Sequence, residues 1–187
     1  MTVGDDALLA RVLRVYKPHC RYLGSATVTA KGDPVDEGGR IGVRGSFHIP
    51  ESCYIDDTGH FNAVEFNICY NQMVYLLMAK SVHERLTRSF AGWSLDDFWA
   101  RQLEDMFIVD FHSSFRRSMR GRRFWGELDV VEAFQGDWGN GPFLFFRTTC
   151  RFGETEEVAA HGKVLVAVKA PAGAAGSAAP AVEPVQT

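Results

Sequence analysis

The sequence predicts an α+β fold in which an antiparallel sheet of five to seven strands wraps around one long buried helix. Three features of the chain lead there. First, residues 63–79, AVEFNICYNQMVYLLMA, leave almost no polar face, as expected of a helix enclosed by protein. Glu65, Asn67, Asn71 and Gln72 argue against reading that run as a membrane span. Second, the segments before and after it alternate apolar and polar residues, the period of strands. Third, the later strands are separated by short turns such as GDWGNGP, which suits an antiparallel meander. With 187 residues, 46% of them hydrophobic and 12% aromatic, the chain can build one sizeable core.

Taken in order, Asp5 to Tyr16 carries Leu8, Leu9, Val12, Leu13 and Tyr16 at helical spacing, with Asp5 or Asp6 as cap and Pro18 as stop. Tyr22 to Ala30 and Arg40 to Ile49 alternate as two strands, joined by a Gly/Asp/Pro loop expected to be long and mobile. Asn62 opens the long helix: its side chain can cap the first turn, Glu65 can reach back to complete a capping box, and Phe61 with Phe66 form a hydrophobic staple. Trp93 to Asp105 is a second helix capped by Ser94, with Asp97, Arg101 and Glu104 outward. The strands 106–115, 124–134, 143–152 and 158–169 complete the domain, which is expected over residues 1–169. From Ala170 to Thr187 the Ala/Pro/Gly/Ser tail has too little to bury and is expected to be disordered.

The net charge of −3 carries no nucleic-acid signature. Cys20, Cys53, Cys69 and Cys150 are widely spaced and read as free thiols. The start, MTVGDDALLARVL, is acidic where a signal peptide is basic, so a cytoplasmic protein with no membrane segment is expected. There is no GxSxG elbow, no glycine-rich phosphate loop, no HExxH and no Cys/His cluster, which argues against a serine-triad hydrolase, a nucleotide-binding enzyme and a zinc enzyme. No metal or cofactor is implied.

Chemistry is concentrated where a polar loop, with Tyr54, Asp56, Asp57, Thr58 and His60, runs into the long helix. His60 directly precedes the helix start and suits general-base work at neutral pH; Glu65 is a second candidate, although its capping position explains it without chemistry. Tyr54 and Tyr22 offer phenolic donors. Asn67, Asn71 and Tyr75 recur at i, i+4, i+8 and share one stripe, whose amides need either sheet backbone or a polar ligand as partners. The free N–H groups of the first turn make an oxyanion site. Arg116, Arg117, Arg120, Arg122 and Arg123, in FRRSMRGRRF, form either a solvated turn or an anion site suited to the phosphates of coenzyme A or an acidic carrier protein.

CRYL at Cys20 to Leu23, ESCYIDDTGHFNAVEFNICYNQMVY at Glu51 to Tyr75 and GWSLDDFWARQL at Gly92 to Leu103 resemble the FcoT-type thioesterase family of the hotdog fold, over about Ala7 to Val168. That resemblance implies a long helix wrapped by an antiparallel sheet, acyl-thioester substrates and assembly as a homodimer or higher homo-oligomer. The family's site residues correspond to Tyr22, Tyr54, His60, Asn62 and Asn71, with Ser113 and Ser114 as further candidates.

Some relatives are understood to add glycine to the β-carbon of a (2E)-enoyl thioester in secondary metabolism, with hydrolysis then releasing the acid. The leading expectation is this Michael addition, on acyl carrier protein or coenzyme A, with His60, Tyr54, Asn62 and Asn71 catalytic, and Tyr22, Glu65, Asn67, Tyr75, Ser113 and Ser114 binding substrate. An arginine or the helix end must then hold the glycine carboxylate. Plain thioester hydrolysis, enoyl hydration and a non-catalytic acyl carrier are the alternatives.

Overall fold

The computed structural model describes residues 5–56, 58–138 and 141–170. Helix α1 (Asp5–Val12) is followed by β1 (Leu23–Lys31), β2 (Arg40–His48), α2 (Ala63–Glu84), α3 (Leu95–Arg101), β3 (Met106–Phe115), β4 (Arg123–Asp137), β5 (Pro142–Gly153) and β6 (Ala160–Lys169). The strands form one sheet in the order β1-β2-β4-β5-β6-β3, antiparallel at every pairing. Phe66, Tyr70, Met73 and Leu77 of α2 share a single core with Leu128, Phe146, Phe152, Val164 and Val166 of the sheet. The expected α+β hotdog arrangement, six strands around one long helix, is what the chain forms.

Local chemistry fixes where α2 begins. Asn62 Oδ1 accepts from Val64 N–H at 2.9 Å and Glu65 N–H at 3.3 Å, while Glu65 Oε2 accepts from Asn62 N–H at 3.4 Å, so the expected capping box is present. Phe61 and Phe66 pack at 6.1 Å as the staple. The helix runs past Ala79 to Glu84 because the polar residues beyond it are satisfied. Lys80 pairs with Asp5 and Glu84, and Ser81 Oγ donates to Leu77 O at 2.7 Å. Arg85, in the left-handed region at φ 57°, ends it.

Buried polar links hold helix to sheet. Tyr70 Oη donates to Thr148 Oγ1 at 2.8 Å, and Thr148 Oγ1 donates on to Val164 O at 3.1 Å. Gln72, fully buried, accepts from Tyr22 N–H at 3.0 Å and Leu23 N–H at 2.8 Å and donates to Cys20 O at 2.6 Å, seating the first strand beside the helix.

Four expectations need correction. The β1–β2 connection is pinned rather than mobile: Val35 is buried, and the Asp36 carboxylate accepts from Thr87 Oγ1, Arg88 N–H, Ser89 N–H and Ser89 Oγ. Asp5 is already helical and its carboxylate serves Lys80, so the cap of α1 lies outside the described residues. Helix α2 is not enclosed on all sides, because Val64 is 43% exposed and Asn67, Ile68, Asn71 and Tyr75 are half-buried along the same face. The meander covers only β4, β5 and β6; β3 pairs with β6 at the far edge of the sheet. Of the tail, Ala170 is buried and donates its N–H to Pro142 O at 3.0 Å, and the rest lies outside the described residues. No helix of the described residues is long and apolar enough to cross a membrane.

Candidate active site

Placing β3 at the sheet edge has a direct consequence for the arginine segment. The chain leaves β3 at one edge and re-enters at β4 in the middle, so residues 116–122 must cross the sheet end where α2 begins. They do so in contact with it. Phe61 N–H donates to Met119 O at 2.8 Å, Ile49 N–H donates to Arg122 O at 3.2 Å, and Met119 is buried. Gly121 adopts φ +71°, and a side chain there would place Cβ 3.2 Å from Phe61 Cβ. The backbone of this segment is therefore a packed crossing over the helix start, while its arginine side chains remain exposed to solvent.

Between this crossing and the helix lies a cleft of about 430 Å³ lined by His60, Phe61, Asn62, Ala63, Phe115, Arg116, Arg117 and Ser118. Its apolar part comes from Phe61 and Phe115, whose rings lie 6.3 Å apart, with Phe61 backed by Phe124 at 4.9 Å and Phe152 at 5.4 Å. His60 is exposed at the mouth and its ring is oriented: Nδ1 lies 3.0 Å from Thr58 O. With Nδ1–H donating to that carbonyl, Nε2 keeps the lone pair and is the basic nitrogen. Asn62 has spent its Oδ1 on the helix cap, which fixes the amide, and its Nδ2 is buried with no hydrogen-bond partner among the described residues. An orphaned donor of this kind costs about 1–3 kcal/mol, so a bound acceptor is favoured there. The cap also consumes the Val64 and Glu65 N–H groups, so the expected oxyanion site cannot draw on the whole first turn, and Ala63 N–H and the buried Asn62 Nδ2 are the donors that remain.

A second, narrow crevice on the other side of His60 is lined by Ile49, Glu51, Ser52, Glu65, Arg120, Gly121 and Arg122. Arg122 donates to Pro50 O, and Gly121 N–H donates to a Glu154 carboxylate oxygen at 3.0 Å. Ser52 Oγ is a further buried atom without a partner among the described residues.

The remaining candidates are placed elsewhere. Tyr54 is 47% exposed and lines neither cavity. Asn71 Nδ2 donates to Asn67 Oδ1 at 3.2 Å, and Tyr75 packs on Tyr16 at 6.4 Å, so this stripe partly satisfies itself along the open side of α2. Tyr22 is buried, its hydroxyl donating to Glu51 O at 3.5 Å; burial, then the neighbouring Cys53 thiol, push its phenol well above the usual range, and it stays protonated. Ser113 and Ser114 sit half-buried on β3 opposite Gly162 and His161. Arg123 lies on β4 opposite His48, outside both cavities. Sequence reading did not foresee the seating role of Gln72, although its position on the Glu65, Cys69, Leu76 face of the helix marks it as buried.

A six-stranded antiparallel sheet wrapped on one long helix, with a histidine and an orphaned amide by the helix start, defines a protein of the hotdog class. Residues 11–168 match the model of the FcoT-like thioesterase domain, and the chain belongs to that family. It is 46% identical to a (2E)-enoyl-[ACP] glycyltransferase of Streptomyces coeruleorubidus, over 87% of this chain and 96% of that protein. A protein of the same description from Mycobacterium marinum is 37% identical over 88% of this chain and 86% of its own length. Among solved structures, zebrafish thioesterase superfamily member 2 superposes with a TM-score of 0.49 at 9% identity, over 89% of this chain and 99% of that one.

Proposed function

We propose that the protein adds glycine through its nitrogen to the β-carbon of a (2E)-enoyl thioester borne on an acyl carrier protein, and that hydrolysis then releases an N-carboxymethyl-3-amino acid. The observation that carries this reading is the 46% identity, over nearly the whole chain, to a protein described as a (2E)-enoyl-[ACP] glycyltransferase. The cleft is chemically suited to it. His60 Nε2 takes a proton from the glycine ammonium, and the freed amine attacks the β-carbon. The thioester oxygen, which gains negative charge as the enolate forms, accepts from Asn62 Nδ2 and Ala63 N–H, donors already fixed before substrate arrives. Protonation of the α-carbon completes the addition, and the same two donors serve the tetrahedral intermediate when water attacks the thioester carbonyl.

Arg120 and Arg123, exposed beyond the cleft, are assigned to the acidic carrier or to the phosphate of its prosthetic arm. The acyl chain is assigned to the open side of α2, past Asn67, Asn71 and Tyr75, with Tyr54, Tyr22, Ser113 and Ser114 at its margins. That half-exposed face is also where a second copy would cover Val64, in a homodimer or larger assembly.

The test is to supply a short (2E)-enoyl thioester with and without glycine, following free thiol and product mass together. A mass increased by one glycine, formed only when glycine is present, is the expected result. Equal thiol release without glycine and no adduct at any time would overturn the addition. Plain hydrolysis is the second reading, favoured by the thioesterase description of the family, with His60 activating water instead.

A further inference from the structure

The four arginines of the crossing segment and Arg123 at the start of β4 differ in how they are engaged, and the difference separates their tasks. Arg117 is ion-paired with Glu157. Arg120 and Arg122 line the narrow crevice together with Glu51 and Glu65, so two carboxylates already share their field. Arg123 lines neither cavity. Arg116 alone of the five lines the His60 cleft without an acidic partner: it pairs with no carboxylate among the described residues, and no Asp or Glu lines that cleft. Its backbone is fixed, since Arg116 N–H donates to Ala159 O at 2.8 Å directly after β3, so the side chain springs from the rigid sheet and not from a free loop.

We propose that Arg116 is the carboxylate anchor for the amino-acid co-substrate. The inference rests on the glycine-addition reading above. In glycine the carboxylate is one carbon away from the nitrogen that must meet the base, so its cation has to border the same cleft as His60. A guanidinium presents two parallel N–H donors to the two carboxylate oxygens, which fixes orientation as well as position. Holding the carboxylate there turns the amine toward His60 and, beyond it, toward the β-carbon, and an amine without a carboxylate gains nothing from the contact. Arg117, held by Glu157, shapes the cleft without competing for the anion.

The experiment compares wild type, Arg116→Ala and Arg116→Lys, each with a short (2E)-enoyl thioester on carrier protein, using glycine and then glycinamide as the amine, with adduct mass and thiol release both recorded. Arg116→Ala should raise the KM for glycine about tenfold or more, well beyond any change in the KM for the thioester, because a charge-assisted bidentate contact is lost. Glycinamide should be used equally poorly by wild type and Arg116→Ala. Arg116→Lys, which keeps the charge but not the fork, should fall between, and it reads the same split should the alanine variant fold badly. A glycine KM unchanged in Arg116→Ala, with wild type forming the adduct, sinks this inference alone. A raised thioester KM with an unchanged glycine KM also overturns it and moves Arg116 to the carrier phosphate. No adduct from wild type removes the glycine-addition reading and this inference with it.

Discussion

His60 Nδ1 lies 3.0 Å from the carbonyl oxygen of Thr58, and Thr58 Oγ1 returns a hydrogen bond to the His60 carbonyl at 2.8 Å. The two residues clasp Gly59, which takes φ +74°, so a short turn with a left-handed centre aims the imidazole. If Nε2 is the base of the reaction, His60→Ala should lower the addition rate by about a hundredfold or more. Its melting temperature should barely move, since exposed substitutions usually stay within about 0.5 kcal/mol. Thr58→Val removes one arm of the clasp and should cost the rate only a few-fold, by letting the ring wander. Single-turnover rates beside thermal melts check both. A His60→Ala protein with an unaltered product profile would point to a non-catalytic thioester binder.

The two ends of the Asn62 amide can be tested separately. Its oxygen caps α2, and its nitrogen, buried with no partner among the described residues, is the proposed oxyanion donor. Asp is as good a cap as Asn, so Asn62→Asp should fold with near-normal stability. On the proposed mechanism it removes the donor and sets a negative charge beside the oxygen that becomes negative, so turnover should fall by about a hundredfold to a thousandfold. Asn62→Ala should lose both, adding about 1 kcal/mol of destabilisation. Equal turnover in Asn62→Asp and wild type would remove this nitrogen from the mechanism.

The Asp36 carboxylate ties the β1–β2 connection to the segment after α2, and its titration should be visible in stability. Burial by itself raises its pKa, but hydrogen bonds from Arg88 N–H, the Thr87 hydroxyl, and the N–H and hydroxyl of Ser89 outweigh that and hold it below the ordinary carboxylate range. A pKa depressed in the folded state means that the stabilisation is complete above the unfolded value, about 3.9, and is lost as pH falls through the folded one. Asp36→Asn keeps a single acceptor oxygen and should be less stable than wild type at pH 7 by about 1–2 kcal/mol. Urea midpoints of the two proteins should converge as the pH is lowered below about 4. A gap of constant size across that range would show that the carboxylate charge contributes nothing.

How far the chain could be read from its residues depends on how local the cause is. The start of α2 follows from Phe61, Asn62, Glu65 and Phe66, all within six positions, and the cap and staple form as those residues dictate. The position of β3 does not follow from β3. Its alternation marks a strand, but the choice of β6 over β4 as neighbour is made by pairing across the whole sheet, and that choice alone carries Arg116 and Arg117 over the helix start. Gln72 shows the same limit: its three partners, Cys20, Tyr22 and Leu23, are about fifty residues away, so the sequence displays a polar side chain on a buried face but not what it bonds. The stripe of Asn67, Asn71 and Tyr75 is legible as a stripe, whereas its half-exposure reflects only which side of α2 the sheet leaves uncovered.

The close approach of α2 to the sheet depends on Gly162, near the start of β6. A Cβ there would lie 2.8 Å from Phe66 Cζ and 2.8 Å from His112 O, so the Phe66 ring rests against bare backbone. Phe66 in turn packs on Phe152 at 4.8 Å and Phe111 at 5.6 Å, the aromatic layer that continues through Phe61 to the cleft. Gly162→Ala forces either the ring or the strand to move, because neither Phe66 nor the β3 backbone can swing into free space. Overpacking of this kind should cost about 1–3 kcal/mol, despite the better strand propensity of alanine. Chemical denaturation should show a lower midpoint at unchanged slope. Because the displaced ring is two steps from His60 through Phe61, the addition rate should fall more than the thioester KM rises. A Gly162→Ala protein as stable as wild type would mean that α2 is not held against β6 by this contact.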